Sequence, residues 1–477
     1  MSNKINKLIA QNYNSLIVVI FLFGCFLRFY GFNTQGYWFD EWTTLWHANP
    51  AFDWNNFYNL RREFAPDSNE YEGTPKLYFF LLRNFFIIFG FTAENGRIFT
   101  ALFSILALIV SYFLIREFSD NKITKLIVFF LTSANLFLIW EAQETRVQSV
   151  VLFFSLLNIF IFFRFLKKNN IYYGFLFSVS IVLLLSISPV TFTIILAQLL
   201  FLINFFKKRK NIFNLSIVYF ISGIIYLYFN LEYLINIFNF TGYTHAKFHY
   251  HFFIGYFFNS FFGSTFLGAI FLLLFFFGIF ANRKIIFNDL HLKFLLTLIF
   301  LTYFLLIIYS FRNSMMAPRY IIFLVPIIII FIIVCLEKFN KFKDYAYIVI
   351  IFFSLITIFN KIEDRPIKKP PSQKIIRIIT ESGIKNVATN INNTKLFANY
   401  FVTHKAFYHN NLIFFDIRNN MTFPKKIWLV CSNNMRADVG TNHSKSSPEC
   451  YSDILDKNMK ITKKIKEVDL QLSLYEK

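Results

Sequence analysis

Between residues 15 and 360 the chain is built from repeated apolar runs, many of 17 residues or more. A run of that length crosses the ~30 Å hydrocarbon core of a bilayer as a helix. Lipid leaves few alternatives, because every backbone N–H and C=O must be satisfied inside the segment. Hydrophobic residues fill 56% of the 477 positions and charged residues only 16%, more apolar surface than a soluble core of this length needs. The chain therefore reads as a polytopic α-helical membrane protein. Its 70 Phe residues are spread over every apolar run and read as lipid-facing bulk. The first run follows Lys4 and Lys7 and has no small-residue cleavage site, so it reads as a retained helix and not a removed signal peptide.

The net charge of +21 invites a nucleic-acid reading, but the cations cluster in short loops between apolar runs, as the positive-inside rule requires. The assignment of the short run at 76–90, behind Pro75, decides the topology. Laid along the outer surface, it leaves spans near 15–32, 97–115, 124–140, 147–165, 171–187, 190–206, 212–230, 262–281, 291–310, 320–337 and 344–360. Inner loops then hold most of the cations, among them Arg116, Lys122, Lys167, Lys168, Lys207–Lys210, Arg283, Lys284, Lys293 and Lys338. Short outer loops hold only Arg146, Lys247, Arg312 and Arg319. About eleven spans result, with the N-terminus inside and the C-terminus outside.

The composition changes after residue 360. Glu363-Asp-Arg-Pro366 opens a polar linker ending in Pro370-Pro371, after which Ser372 is positioned to start a helix through about Glu381, with Gly383 as its stop. Short β-like runs follow at Asn386–Ile391, Leu412–Ile417 and Ile427–Ser432. The expected organisation is a membrane module over 1–360, whose first outer loop is 33–96 and carries juxtamembrane helices, and a small α/β extracytoplasmic domain over 361–477. Of four cysteines, Cys431 and Cys450 share the outer part and are the one plausible pair. His245, His249 and His251 have near-ligand spacing but no accompanying acid or cysteine, which argues against a metal site there.

On this topology four polar elements open onto one face. Asp40-Glu41 lies among Tyr37, Trp38, Phe39 and Trp42, aromatics suited to headgroup depth. Glu72-Gly-Thr-Pro75-Lys76-Leu-Tyr78 opens the surface helix. Trp140-Glu141-Ala-Gln143-Glu144-Thr-Arg146 joins two spans, and Arg312 through Pro318-Arg319-Tyr320 precedes a later one. Singly, each has a bland explanation as an interfacial ion pair or a headgroup contact. Acids and bases converging at one membrane depth are what a polar substrate site requires.

These same residues carry a family resemblance. Arg28-Phe-Tyr-Gly31 with Tyr37-Trp38-Phe39-Asp40-Glu41 resembles the first-loop signature of the GT-C membrane glycosyltransferases, specifically the family 39 and 83 type that includes protein O-mannosyltransferases and aminoarabinose transferases. The likeness continues through Thr74-Pro75-Lys76-Leu77-Tyr78, Phe89-Gly90, Arg97, Glu141–Arg146 and Pro318-Arg319-Tyr320 with Pro326. It is strongest over residues 20–165. Lys76 stands for a usual proline, Glu141 for a tyrosine and Gln148 for a second tyrosine, so sugar and acceptor do not carry over.

The resemblance implies inverting transfer of a sugar from a polyprenyl-phosphate donor to an envelope glycolipid, polysaccharide or protein, on the outer face of a bacterial inner membrane. It implies Asp40 as general base, supported by Glu41, with Lys76, Glu141, Glu144, Arg146, Arg312, Arg319 and Tyr320 contacting substrate. It fixes no cofactor and leaves a divalent metal ion open, with Glu144 able to bind one, because some relatives use such an ion and others do not. A transporter or flippase of lipid-linked saccharides would bury charge midway through its spans, which here are almost free of it. A membrane-anchored glycan-binding protein is the remaining alternative.

Overall fold

The structure is a computed structural model that describes residues 11–32, 36–37, 39–60, 74–202, 209–238, 254–311, 317–339, 343–363, 372–389, 413–414, 423–432, 453–467 and 470–477. The helices α1 (Tyr13–Phe29), α2 (Phe39–His47), α3 (Lys76–Phe89), α4 (Ala93–Ile115), α5 (Lys122–Ser133) and α6 (Leu136–Ala142) come first. Next are α7 (Gln148–Lys168), α8 (Ile171–Ile187), α9 (Phe192–Leu202), α10 (Arg209–Phe238), α11 (Ile254–Phe261) and α12 (Thr265–Ala281). Helices α13 (Arg283–Asn288), α14 (Leu290–Ser310), α15 (Leu324–Glu337) and α16 (Lys343–Lys361) complete the apolar part. The C-terminal part holds α17 (Ser372–Glu381), β1 (Asn386–Thr389), β2 (Ile413–Phe414), β3 (Lys426–Ser432), α18 (Asp453–Asp456), β4 (Lys460–Glu467) and β5 (Leu470–Glu476).

Among the described residues, five helices are long and apolar enough to span, six if the bent pair of α5 and α6 is one span, and five shorter apolar helices of 10–17 residues accompany them. The protein is an integral membrane protein. Contacts divide it into two compact units: Met1–Tyr30, Thr74–Tyr78 and Arg97–Ile362, and Gly31–Gly73, Phe79–Gly96 and Glu363–Lys477.

In the helical unit, contacts between residues far apart in sequence sort the helix ends into two sets. At one end Glu117, just past α4, takes Arg164 Nε at 3.0 Å and Lys167 Nζ at 2.5 Å from the end of α7. There too Ser119 donates to Glu337 at 2.7 Å, and Asn282 Nδ2 donates to the Cys335 carbonyl at 3.2 Å. At the other end Trp140 Nε1 donates to Ile362 O, Gln143 Nε2 to Tyr30 O, and Thr100 Oγ1 to Ala142 O. Helices therefore run alternately, with the cation-rich loops gathered at the first end.

Between the ends, helix pairs are joined by small residues and amides. Gly24 lets α1 approach so closely that a Cβ there would sit 2.9 Å from Leu108 and 3.0 Å from Ser133. Gln198 donates to Asn158, Asn158 to Ser180, and Asn230 to Ser186, polar ties of the kind that hold helices together where lipid supplies no hydrophobic drive.

In the second unit the five strands run in the order β2-β1-β3-β5-β4, with β1 parallel to β2 and β3 and the other pairs antiparallel. Strand β3 is buried on both faces. Trp428 and Val430 pack with Ile375 and Ile379 of α17, and Ile427 and Leu429 with Leu455, Met459 and Tyr475. Gly383, at φ +68°, turns the chain from α17 toward β1 as the sequence implied, a conformation costly for any residue with a Cβ. The strand β4, Lys-Ile-Thr-Lys-Lys-Ile-Lys-Glu, was not expected. It is an edge strand whose lysines keep that edge solvated and hide its β pattern.

Candidate active site

Asp40 and Glu41 occupy the first turn of α2, where the partial positive charge of a helix N-terminus favours carboxylate anions. The two differ in access. Glu41 is fully buried, whereas Asp40 is half-buried. Thr44 Oγ1 donates to the Asp40 carbonyl at 2.8 Å, and His47 Nδ1 lies 2.7 Å from the Thr43 carbonyl, so side chains on the helix also bind its own backbone. Tyr37 packs on Trp42 with ring centroids 5.2 Å apart, and His47 lies between Phe57 and Phe79. Buried aromatics of this size fix the helix rather than merely shelter it.

The same unit supplies a clamp that sequence reasoning did not single out. From α3, Arg83 donates to the carbonyls of Asn49, Pro50 and Phe52 at 2.9–3.1 Å, with its guanidinium 5.5 Å from the Trp54 ring centroid. One planar fork satisfies three carbonyls of the turn that follows α2, which ties the acid-bearing helix to α3. The sequence signal was present: an arginine inside an amphipathic apolar run must find partners.

In the helical unit, the Glu141–Arg146 segment owes its position to a broken span. The axis bends by 48° between α5 and α6. Asn135 explains the break. Its Oδ1 accepts from Leu138 N at 2.9 Å, capping α6, and its Nδ2 donates to Phe261 O at 2.9 Å. Ser149 Oγ then donates to Glu141 O at 3.2 Å, and Gln143 anchors the turn to the end of α1 through Leu27 O and Tyr30 O. Glu141, Gln143, Glu144 and Thr145 are all buried, and Arg146 is half-buried. The side chain of Gln148, at the start of α7, is also buried, and its Oε1 has no hydrogen-bond partner among the described residues.

Arg319 and Tyr320 lie in a 3-10 turn, Pro318–Ile321, with the guanidinium 5.6 Å from the Tyr320 ring centroid. This turn packs against α11 and the Pro189–Thr191 turn, and α11 in turn packs against α6. The Glu141 segment and Arg319 thus lie at the same end of the helical unit, flanking α11. Arg97, fully buried in α4, lies one turn before Thr100, which bonds Ala142 O.

Lys76 Nζ is 2.9 Å from Glu232 Oε2, the acid near the end of α10, with the two side chains 30% and 65% exposed. Glu232 was missed, although a lone acid in an apolar helix is itself a signal. Arg312, the three histidines of the 245–251 segment and Cys450 lie outside the described residues, as therefore does the expected Cys431–Cys450 pairing. Among the described residues, no group of three or more His, Cys, Asp or Glu side chains is placed to hold a metal ion.

Comparison with known proteins agrees with this architecture. Residues 74–233, about a third of the chain, match the family described as dolichyl-phosphate-mannose-protein mannosyltransferase. The structure is similar to crystal structures of ArnT from Cupriavidus metallidurans. The apo form has a TM-score of 0.59 at 8% identity, covering 98% of each chain. The form bound to undecaprenyl phosphate has a TM-score of 0.53 at 10% identity and the same coverage. No curated protein sequence matches. The chain has the fold of the GT-C membrane glycosyltransferases, as its motifs implied.

Proposed function

We propose that this protein transfers a sugar from a polyprenyl-phosphate carrier to an envelope acceptor, a glycolipid, polysaccharide or protein, at the outer face of a bacterial inner membrane. The observation that carries this reading is the 48° break between α5 and α6: it brings Glu141, in the last turn of α6, and Glu144 and Arg146, on the non-helical turn after it, to the end of the bundle that also bears Arg319. Irregular backbone at the edge of a membrane bundle is tolerated where it is buried in protein or lines a water-filled cavity. The family match over 74–233 and the undecaprenyl phosphate bound to ArnT support a lipid-linked donor.

The leaving group of such a donor departs as a phosphate-bearing anion, so it needs positive charge more than a proton. Arg319 and Arg146 are assigned to that anion, because preorganised cations beside developing charge lower a barrier efficiently. The acceptor hydroxyl needs a base that takes its proton as the new bond forms. Asp40 is assigned that role because it is the more accessible member of the doublet, while Glu41 has the burial of a supporting group. Glu141 and Glu144 are assigned to sugar and acceptor hydroxyls, and Tyr320 to holding Arg319. A single displacement inverts the anomeric centre. The metal question does not enter these roles.

Transfer measured in vitro with purified protein, lipid-linked sugar and membrane extract tests the assignment. Asp40→Asn should lower the rate by about 10²–10⁴-fold, the usual worth of a general base, with the melting temperature unchanged. Transfer at the native rate would remove Asp40 from the role.

A further inference from the structure

At the cation-rich end, a groove of about 570 Å³ opens on the side of the bundle, within the range of ligand-sized pockets. Its long wall is one face of α14, where Lys293, Thr297, Phe300, Leu301 and Phe304 follow one another at helical spacing. Leu200 of α9 and Ile279 of α12 line it as well. The short helix α13 contributes Arg283, Ile286 and Phe287, so both cations of the groove, Arg283 and Lys293, lie where α12 and α14 meet that helix. Farther along α14 the lining is almost wholly apolar, with Phe300 and Phe304 47% and 60% exposed.

The dimensions fit one leaflet. From Lys293 to Phe304 the helix rises about 16 Å at ~1.5 Å per residue, close to half of a ~30 Å hydrocarbon core. A groove with cations at headgroup level and aromatic and aliphatic walls down to mid-bilayer is complementary to a molecule with an anionic head and hydrocarbon tails. The charge distribution puts this end on the cytoplasmic side, the leaflet rich in anionic lipid. It is the opposite end of the bundle from the Glu141 segment.

We propose that this groove binds an anionic phospholipid of the inner leaflet, its phosphate held by Arg283 and Lys293 and its acyl chains lying along Phe300 and Phe304. The site is separate from the proposed sugar-transfer residues and stands or falls independently of them.

The test uses the full-length protein in nanodiscs of phosphatidylcholine with and without phosphatidylglycerol, followed by gentle detergent extraction and native mass spectrometry. The native chain should retain phosphatidylglycerol in preference to phosphatidylcholine. Arg283→Gln combined with Lys293→Gln should weaken that retention roughly tenfold or more, from the loss of two interfacial cations. Thr297→Trp, which fills the groove and leaves both charges in place, should also abolish it, whereas Lys338→Gln, on the same side but outside the groove, should not. Equal retention of the two lipids, retention unchanged in the double variant, or an equal thermal stabilisation by inorganic phosphate alone would overturn the proposal.

Discussion

The two ends of the helical unit treat buried charge in opposite ways. At the cation-rich end Glu117, its side chain only 2% exposed, is matched by Arg164 and Lys167, and each of these groups sits on or beside the end of a regular helix. The charges there close loops and staple α4 to α7. At the other end the backbone itself departs from the helix: a 48° break before α6, the Gln143–Val147 turn, and 3-10 turns at Pro189–Thr191 and Pro318–Ile321. Of the buried acids there, Glu141 lies in the last turn of α6 and Glu144 rides on the irregular turn that follows it. The first arrangement shows how this bundle satisfies a buried acid with cations at helix ends. On the proposed function, the difference separates architecture from chemistry.

Four substitutions, in falling order of expected effect, would break or sharpen that contrast. Glu144→Gln keeps the shape of a buried side chain and removes its charge, so transfer should fall by about 10²–10³-fold while the melting temperature hardly moves. An equal loss of stability would class Glu144 with Glu117. Arg28→Met, inside α1, deletes bonds to Ser104 Oγ, Gly24 O and Ser133 O at 2.7–3.0 Å and should cost about 3 kcal/mol, read by thermal unfolding in detergent, with the folded fraction still active. Glu117→Gln should cost only about 1–2 kcal/mol, because its partners are 30% and 49% exposed and can rehydrate, and should leave transfer unchanged. Lys76→Ala removes an exposed ion pair worth less than about 1 kcal/mol, so any rise in KM beyond a few-fold would report a substrate contact.

The legibility of the chain followed the same divide. The succession of apolar helices and the cation-rich end came from apolar length and charge position, both properties of single segments. The break at Asn135 did not, because it depends on a carbonyl at Phe261, 126 residues away. Arg83 and Glu232 were overlooked for a related reason: their partners are the 49–52 turn and Lys76, and neither pairing has a sequence period. The hairpin of β4 and β5 was hidden by the lysines that make β4 a safe edge. In the candidate site, motif order singled out the Asp40 doublet and the Glu141–Arg146 segment, but not that Asp40 and Glu41 differ so much in burial.

Asn135 also bears on how the chain is made. As a 12-residue helix α5 is only about 18 Å long, too short to cross a bilayer alone, so it must enter the membrane together with α6 and carry a polar amide in with it. The acceptor for that amide is synthesised more than a hundred residues later. Until α11 docks, the nascent chain holds an uncompensated polar group near lipid, and a ribosome-bound intermediate ending before Phe261 would be the form that chaperones and quality-control proteases meet first.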